Sequence, residues 1–85
     1  MSPRAVLRRK QVNHVEAAAK LRAQPDTWLP IGSYWNRDSA QVITRLVRIG
    51  GRLRAYGPAG SFEARYERDN ENGWTVYARF VGGAA

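Results

Sequence analysis

Cysteine is absent from the 85 residues, which excludes a disulfide framework and a thiolate metal site. No apolar run approaches the roughly 18 residues that a membrane-spanning helix needs. Histidine occurs once, at His14, and methionine only at position 1. Lysine is nearly missing as well: 2 Lys stand against 12 Arg. Carboxylates are few, with 7 acidic against 14 basic side chains and a net charge of +7. At 44% hydrophobic and 11% aromatic residues, the chain still has enough apolar material for one small core, and global disorder is not expected.

These scarcities remove most catalytic chemistry. A nucleophile–histidine pair would need Ser2, Ser33, Ser39 or Ser61 beside His14, and no spacing suggests it. A single histidine in a basic helical stretch reads as a surface residue. Glu63 and Glu67 share one face of a strand, but Arg65 lies between them, which makes a surface charge ladder rather than an acid/base pair. No His, Asp and Glu cluster has metal-ligand spacing. Gly57-Pro58-Ala59-Gly60 lacks the Lys and Ser or Thr of a phosphate loop and reads as a turn. The expectation is a binding protein with no catalysis, no cofactor and no metal.

The basic charge is placed unevenly. Residues 1–24 carry +5, residues 25–60 carry +3 and residues 61–85 carry −1, so an anionic partner would meet the first two thirds. The carrier is almost entirely guanidinium, which fits phosphate and carboxylate forks better than ammonium does. A GC-rich genome would give the same arginine bias. No apolar signal-peptide core follows Arg4, Arg8, Arg9 and Lys10, so a cytoplasmic protein of a bacterial host is expected.

The chain reads as a basic helix or arm (1–24), a compact domain (25–82) and a loose tail (83–85). Helix formers dominate Arg4 to Ala23, and Ser2-Pro3 can open that helix. Its apolar stripe is poor: Val12, Val15 and Ala19 follow helical spacing, whereas Ala18 and Leu21 lie round from them. Such a helix has little to bury and suits oligomerisation. Trp28 to Tyr34 reads as a strand whose Pro30 implies an edge or an irregularity. Asn36 then caps an amphipathic helix, Arg37 to Ile49, that Gly50-Gly51 stops. Its face of Ala40, Ile43, Leu46 and Val47 opposes Arg37, Gln41, Thr44, Arg45 and Arg48. Alternation predicts strands over Arg52 to Tyr56, Phe62 to Glu67 and Trp74 to Val81, the last two joined by a hairpin loop ending in Asn72-Gly73. The fold expected is α+β, an N-terminal helix followed by about four antiparallel strands (β-α-β-β-β) with one helix packed on one face. Its core would draw on Trp28, Ile31, Ile43, Leu46, Val47, Leu53, Phe62, Tyr66, Trp74, Val76 and Phe80, with little need for the first helix.

The remaining signal is the row of arginines on the second helix. Arg37, Arg45, Arg48 and Arg52 suit a phosphate backbone, and Gln41 between them can reach a base edge. Arg54 and Tyr56 would extend the patch on a neighbouring strand. Arg4, Arg8, Arg9 and Lys10 would clamp from the N-terminal arm, and Tyr34, Trp35 and Tyr56 are placed to stack on bases. DNA is the expected partner. The alternative is a protein-interaction module, homodimeric through residues 4–23, that modulates a host protein.

Two resemblances accompany these readings. Ile31-Gly32-Ser33-Tyr34-Trp35-Asn36-Arg37-Asp38-Ser39-Ala40, continued to Gly51, resembles the first strand–turn–helix of SPOR peptidoglycan-binding domains. Those domains add a second helix and another strand and act outside the cytoplasmic membrane. The second helix is missing from this sequence, so the likeness reads as a shared local solution. Arg54-Ala55-Tyr56-Gly57-Pro58-Ala59-Gly60-Ser61-Phe62-Glu63-Ala64 and Val76-Tyr77-Ala78-Arg79-Phe80-Val81-Gly82 resemble small proteins of actinobacterial phages. That resemblance takes in roughly the C-terminal 50 residues and implies a phage or prophage origin.

Overall fold

A computed structural model describes residues 12–82. In chain order the elements are α1 (His14–Ala23), β1 (Leu29–Tyr34), α2 (Arg37–Ile49), a 3-10 turn (Arg54–Tyr56), β2 (Phe62–Arg68) and β3 (Trp74–Phe80). They form an α+β fold with two α-helices and a three-stranded antiparallel sheet among the described residues.

The sheet order is β1-β3-β2, and both outer strands run antiparallel to β3. The outer strands are therefore parallel to each other, with α2 crossing between them and β3 inserted in the gap, a split β-α-β arrangement. Pro30 does lie on an edge strand, and the register with β3 shifts between Pro30 and Gly32. A residue without an N–H is tolerated there because an edge strand leaves half its backbone unpaired. β2 and β3 pair without interruption from Phe62↔Phe80 to Arg68↔Trp74. The hairpin loop between them is organised by Asp69, whose carboxylate accepts from the Glu71 and Gly73 amides. Asn72, at φ 60°, takes the left-handed conformation that asparagine tolerates.

α2 has the bounds its sequence predicts. The Asn36 carboxamide accepts from the Ser39 amide at 2.8 Å, which satisfies one of the orphan donors of the first turn. Gly50 closes the helix at φ 77° and donates its N–H to the Leu46 carbonyl. Ala40 and Val47 are fully buried. Thr44, expected on the arginine face, is buried too. Its hydroxyl donates to the Ala40 carbonyl at 2.8 Å, and that bond lets a polar side chain sit inside.

α1 departs from expectation at its start and on its buried face. Asn13 is extended and accepts from the Glu16 amide, so the helix opens at His14. Residues 4–11 of the longer helix expected there lie outside the described residues. The buried pair is Ala18 and Leu21, whereas Val15 is 73% exposed. Leu21 is wholly inaccessible and joins the same core as Val47, Phe62 and Val76. The helix read as dispensable to the core is part of it.

The strand expected over Arg52 to Tyr56 does not form. The Tyr56 and Gly57 amides instead donate to the Leu53 and Arg54 carbonyls, making a 3-10 turn. Tyr56 is 0% exposed with its ring edge-on to Phe62 at 5.2 Å. Driving that ring inward favours a turn over an extended edge. The sheet therefore has three strands rather than about four.

Strand parity sorts the two faces of the sheet. Phe62, Val76, Ala78 and Phe80 face the helices. Glu63, Arg65, Glu67 and Arg79 face away, and Trp28 lies with them. Expected in the core, Trp28 instead carries the Arg65 and Arg79 guanidiniums over its ring at 4.7 and 5.0 Å. Leu46, also expected there, is half-buried and outside the core cluster.

Candidate nucleic-acid interface

At 100° per residue, Arg37, Arg48, Gln41 and Arg45 fall within about 80° of the circumference of α2. All four are exposed, as are Arg52 and Arg54 beyond the helix. From Arg37 to Arg48 the axis advances about 16 Å. Asp38 lies on the outer side of this stripe, and the buried face flanks it on the other.

The arginines divide by what they touch. Arg65 pairs with Glu67 at 3.2 Å and Arg79 with Glu63 at 2.6 Å. Arg22 donates to the Gly57 carbonyl at 2.8 Å and lies over the Phe62 ring at 5.1 Å. Arg68 stacks over Trp74 at 5.9 Å. Those four serve the fold. Among the described residues, no ion pair, side-chain hydrogen bond or ring contact engages Arg37, Arg45, Arg48, Arg52 or Arg54. Glu63 and Glu67 are engaged on the opposite face of the sheet and do not neutralise them. Arg4, Arg8, Arg9 and Lys10 lie outside the described residues.

Of the expected stacking residues, Tyr56 is unavailable, because it is buried rather than displayed beside Arg54 on a strand. Burial also pushes its hydroxyl well above the ordinary tyrosine range. Tyr34 is half-buried and Trp35 is 52% exposed. The aromatic that does meet the arginine stripe is Tyr66. As its alternation predicts, it packs against the core, half-buried and with its ring edge-on to Trp74 at 5.9 Å, and it also lines a groove of about 450 Å³ between α2 and β2, with Gln41, Thr44, Arg45, Arg48 and Ile49. No sequence signal gives this placement: it follows from β2 being an outer strand, where a helix-facing residue meets the flank of the helix rather than its buried centre.

His14 is not the free surface residue expected. It is half-buried at the start of α1, with Nδ1 2.7 Å from the Tyr56 hydroxyl and the two rings edge to face at 5.4 Å. Burial lowers its imidazole below the ordinary value. This hydrogen bond between imidazole and tyrosine hydroxyl ties α1 to the 3-10 turn. The described residues hold no group of three or more His, Asp or Glu side chains able to bind a metal ion. No described helix is long and apolar enough to cross a membrane.

Comparison with known proteins finds no family model, no curated protein and no solved structure that matches this chain. The functional reading therefore rests on the site itself.

Proposed function

We propose that this chain is a small nucleic-acid-binding protein of phage origin that contacts DNA through the arginine-bearing flank of α2. The observation that carries this is the split among the arginines. Those over the sheet and beside α1 are engaged with the fold, whereas Arg37, Arg45 and Arg48 on one flank of α2, and the exposed Arg52 and Arg54 beyond it, have no partner among the described residues. Unneutralised guanidiniums in a row cost self-repulsion, which a polyanion relieves. Their 16 Å or so of helix axis matches roughly five phosphates along one strand of a duplex. Arg37, Arg45, Arg48 and Arg52 grip phosphate, and Gln41 reaches a base edge from among them.

The test is fluorescence anisotropy with a labelled duplex across a salt series, using the parent chain and the variant R37A/R45A/R48A. Micromolar or tighter binding is expected. Loss of three phosphate contacts should reduce the slope of log K against log salt by about 2.7. Unchanged binding by the variant would remove α2 from the interface. No binding at low salt would overturn the nucleic-acid reading.

One observation favours a protein partner instead. The other flank of α2 leaves Val42 55% exposed above a crevice of about 390 Å³ lined by Tyr34, Asp38, Ser39 and Ile43. A host protein held there, with or without a homodimer through the N-terminal helix, is the reading to pursue if DNA fails to bind.

A further inference from the structure

The groove between α2 and β2 joins three chemistries within one small space. Arg45 and Arg48 are one turn apart, so their stems are neighbours on the helix and their like charges repel. A single phosphate set between them removes that repulsion and accepts from both. Tyr66 and the half-exposed Ile49 supply a π-face and an apolar lip. Gln41 adds a carboxamide, which can donate and accept at once. The volume, about 450 Å³, lies in the range of small-molecule sites, about 300–1,000 Å³. No carboxylate lines the groove.

We infer that this groove takes one unpaired nucleotide of a single-stranded or locally opened nucleic acid, its base stacked on Tyr66 and its phosphate held by Arg45 and Arg48. Charge complementarity selects an anion, and the aromatic beside the cations selects a planar, phosphate-bearing one. Stacking of this kind tolerates any base, because each presents a π-face. Gln41 would add a hydrogen bond to the base edge. The inference rests on the nucleic-acid reading above and adds to it a preference for unpaired over paired strands.

The experiment compares three probes of equal length and label: a thymidine oligomer, the same oligomer with abasic sites, and a duplex. Each is titrated against the parent chain, Tyr66→Phe and Tyr66→Leu, with far-UV circular dichroism to confirm that the variants fold. The thymidine oligomer should bind more tightly than the abasic one. Tyr66→Phe should keep that advantage, and Tyr66→Leu should lose it by about tenfold or more. Duplex affinity should stay unchanged throughout. In parallel, irradiating a 5-iododeoxyuridine oligomer with the parent chain should attach it to the tryptic peptide Tyr66-Glu67-Arg68. Equal binding of abasic and thymidine oligomers, with crosslinks elsewhere, would overturn the stacking site while leaving the phosphate-tracking surface intact. Failure of all three probes would overturn both readings, and binding of an acidic peptide in their place would assign the groove to a protein.

Discussion

Leu21 decides whether α1 is a detachable arm or part of the folded unit. Its side chain is wholly buried, three residues from the equally buried Ala18. Truncating a fully buried leucine to alanine costs the transfer of the lost groups and the cavity left behind, about 2–5 kcal/mol. Taking 3 kcal/mol as typical, a domain of this length with roughly 4–13 kcal/mol in total would lose a quarter of its stability or more. The melting temperature should then fall by ~12–24 °C. Two variants of the same helix calibrate the result. Leu21→Met conserves volume and should cost under about 1.5 kcal/mol. Val15→Ala, at a 73% exposed position, should stay within about 0.5 kcal/mol. Urea unfolding followed by circular dichroism measures all three. A cost below about 1 kcal/mol for Leu21→Ala, equal to that of Val15→Ala, would refute the reasoning and return α1 to the role of an independent arm.

Gly50→Ala should destabilise by about 1 kcal/mol or more, because φ is 77° there and an added Cβ would lie 2.9 Å from the Tyr56 carbonyl oxygen. Gly60→Ala, also at positive φ but with nothing within 4 Å, separates the backbone cost from the clash in the same denaturation assay. His14 gives a pH dependence. Its folded value lies below the ordinary 6.5, so the unfolded chain takes up the proton first as pH falls. The stability it contributes is present above about 6.5 and is lost as pH drops through the folded value. The urea-midpoint advantage of the parent chain over H14Q should therefore shrink from about pH 7.5 to pH 5, and an advantage that stays constant over that range would remove the neutral imidazole from the account.

What the sequence disclosed and what it hid follow from whether a residue's fate is settled locally. α2 could be read to its ends because Asn36, Asp38 and Gly50 act within a turn of where they stand. The β2–β3 hairpin was legible for the same reason, its alternation and its Asn72-Gly73 loop both being short-range. Arg52 to Tyr56 alternates as well as any strand, but burying the Tyr56 ring against Phe62 and His14 closes a 3-10 turn in place of an added edge strand on β2. On α1 the helical spacing of Val12, Val15 and Ala19 marks the wrong stripe. Ala18 and Leu21 are buried instead because the 3-10 turn and β3 pack against their side of the helix. Trp28 is expected in the core, but the parity of Leu29 and its partner Ala78 turns it to the far face. The arginine stripe was visible at once. Tyr66 was not, because its place beside Arg45 and Arg48 depends on the order of strands in the sheet.

That order gives the arginines of α2 two possible tasks. β2 is an outer strand with regular backbone from Phe62 to Arg68, and such an edge invites pairing with a second copy. Antiparallel pairing centred on Ala64 would set Glu63 against Arg65 of the second copy and Phe62 against Tyr66, a favourable match. It would also bring the arginine flanks of the two α2 helices together, a repulsion that opposes the pairing. Guarding the edge needs only positive charge, whereas phosphate recognition by forked hydrogen bonds needs guanidinium. The variant R45K/R48K therefore separates the two tasks. If the stripe only guards the edge, the variant stays monomeric in sedimentation and binds nucleic acid as the parent chain does. If the stripe reads phosphate, the variant also stays monomeric but binds several-fold more weakly at equal charge. R45E/R48E should then both abolish binding and release the edge, giving a concentration-dependent dimer. A monomer at every concentration in that variant would remove edge protection from the explanation and leave nucleic-acid contact as the remaining reason for the stripe.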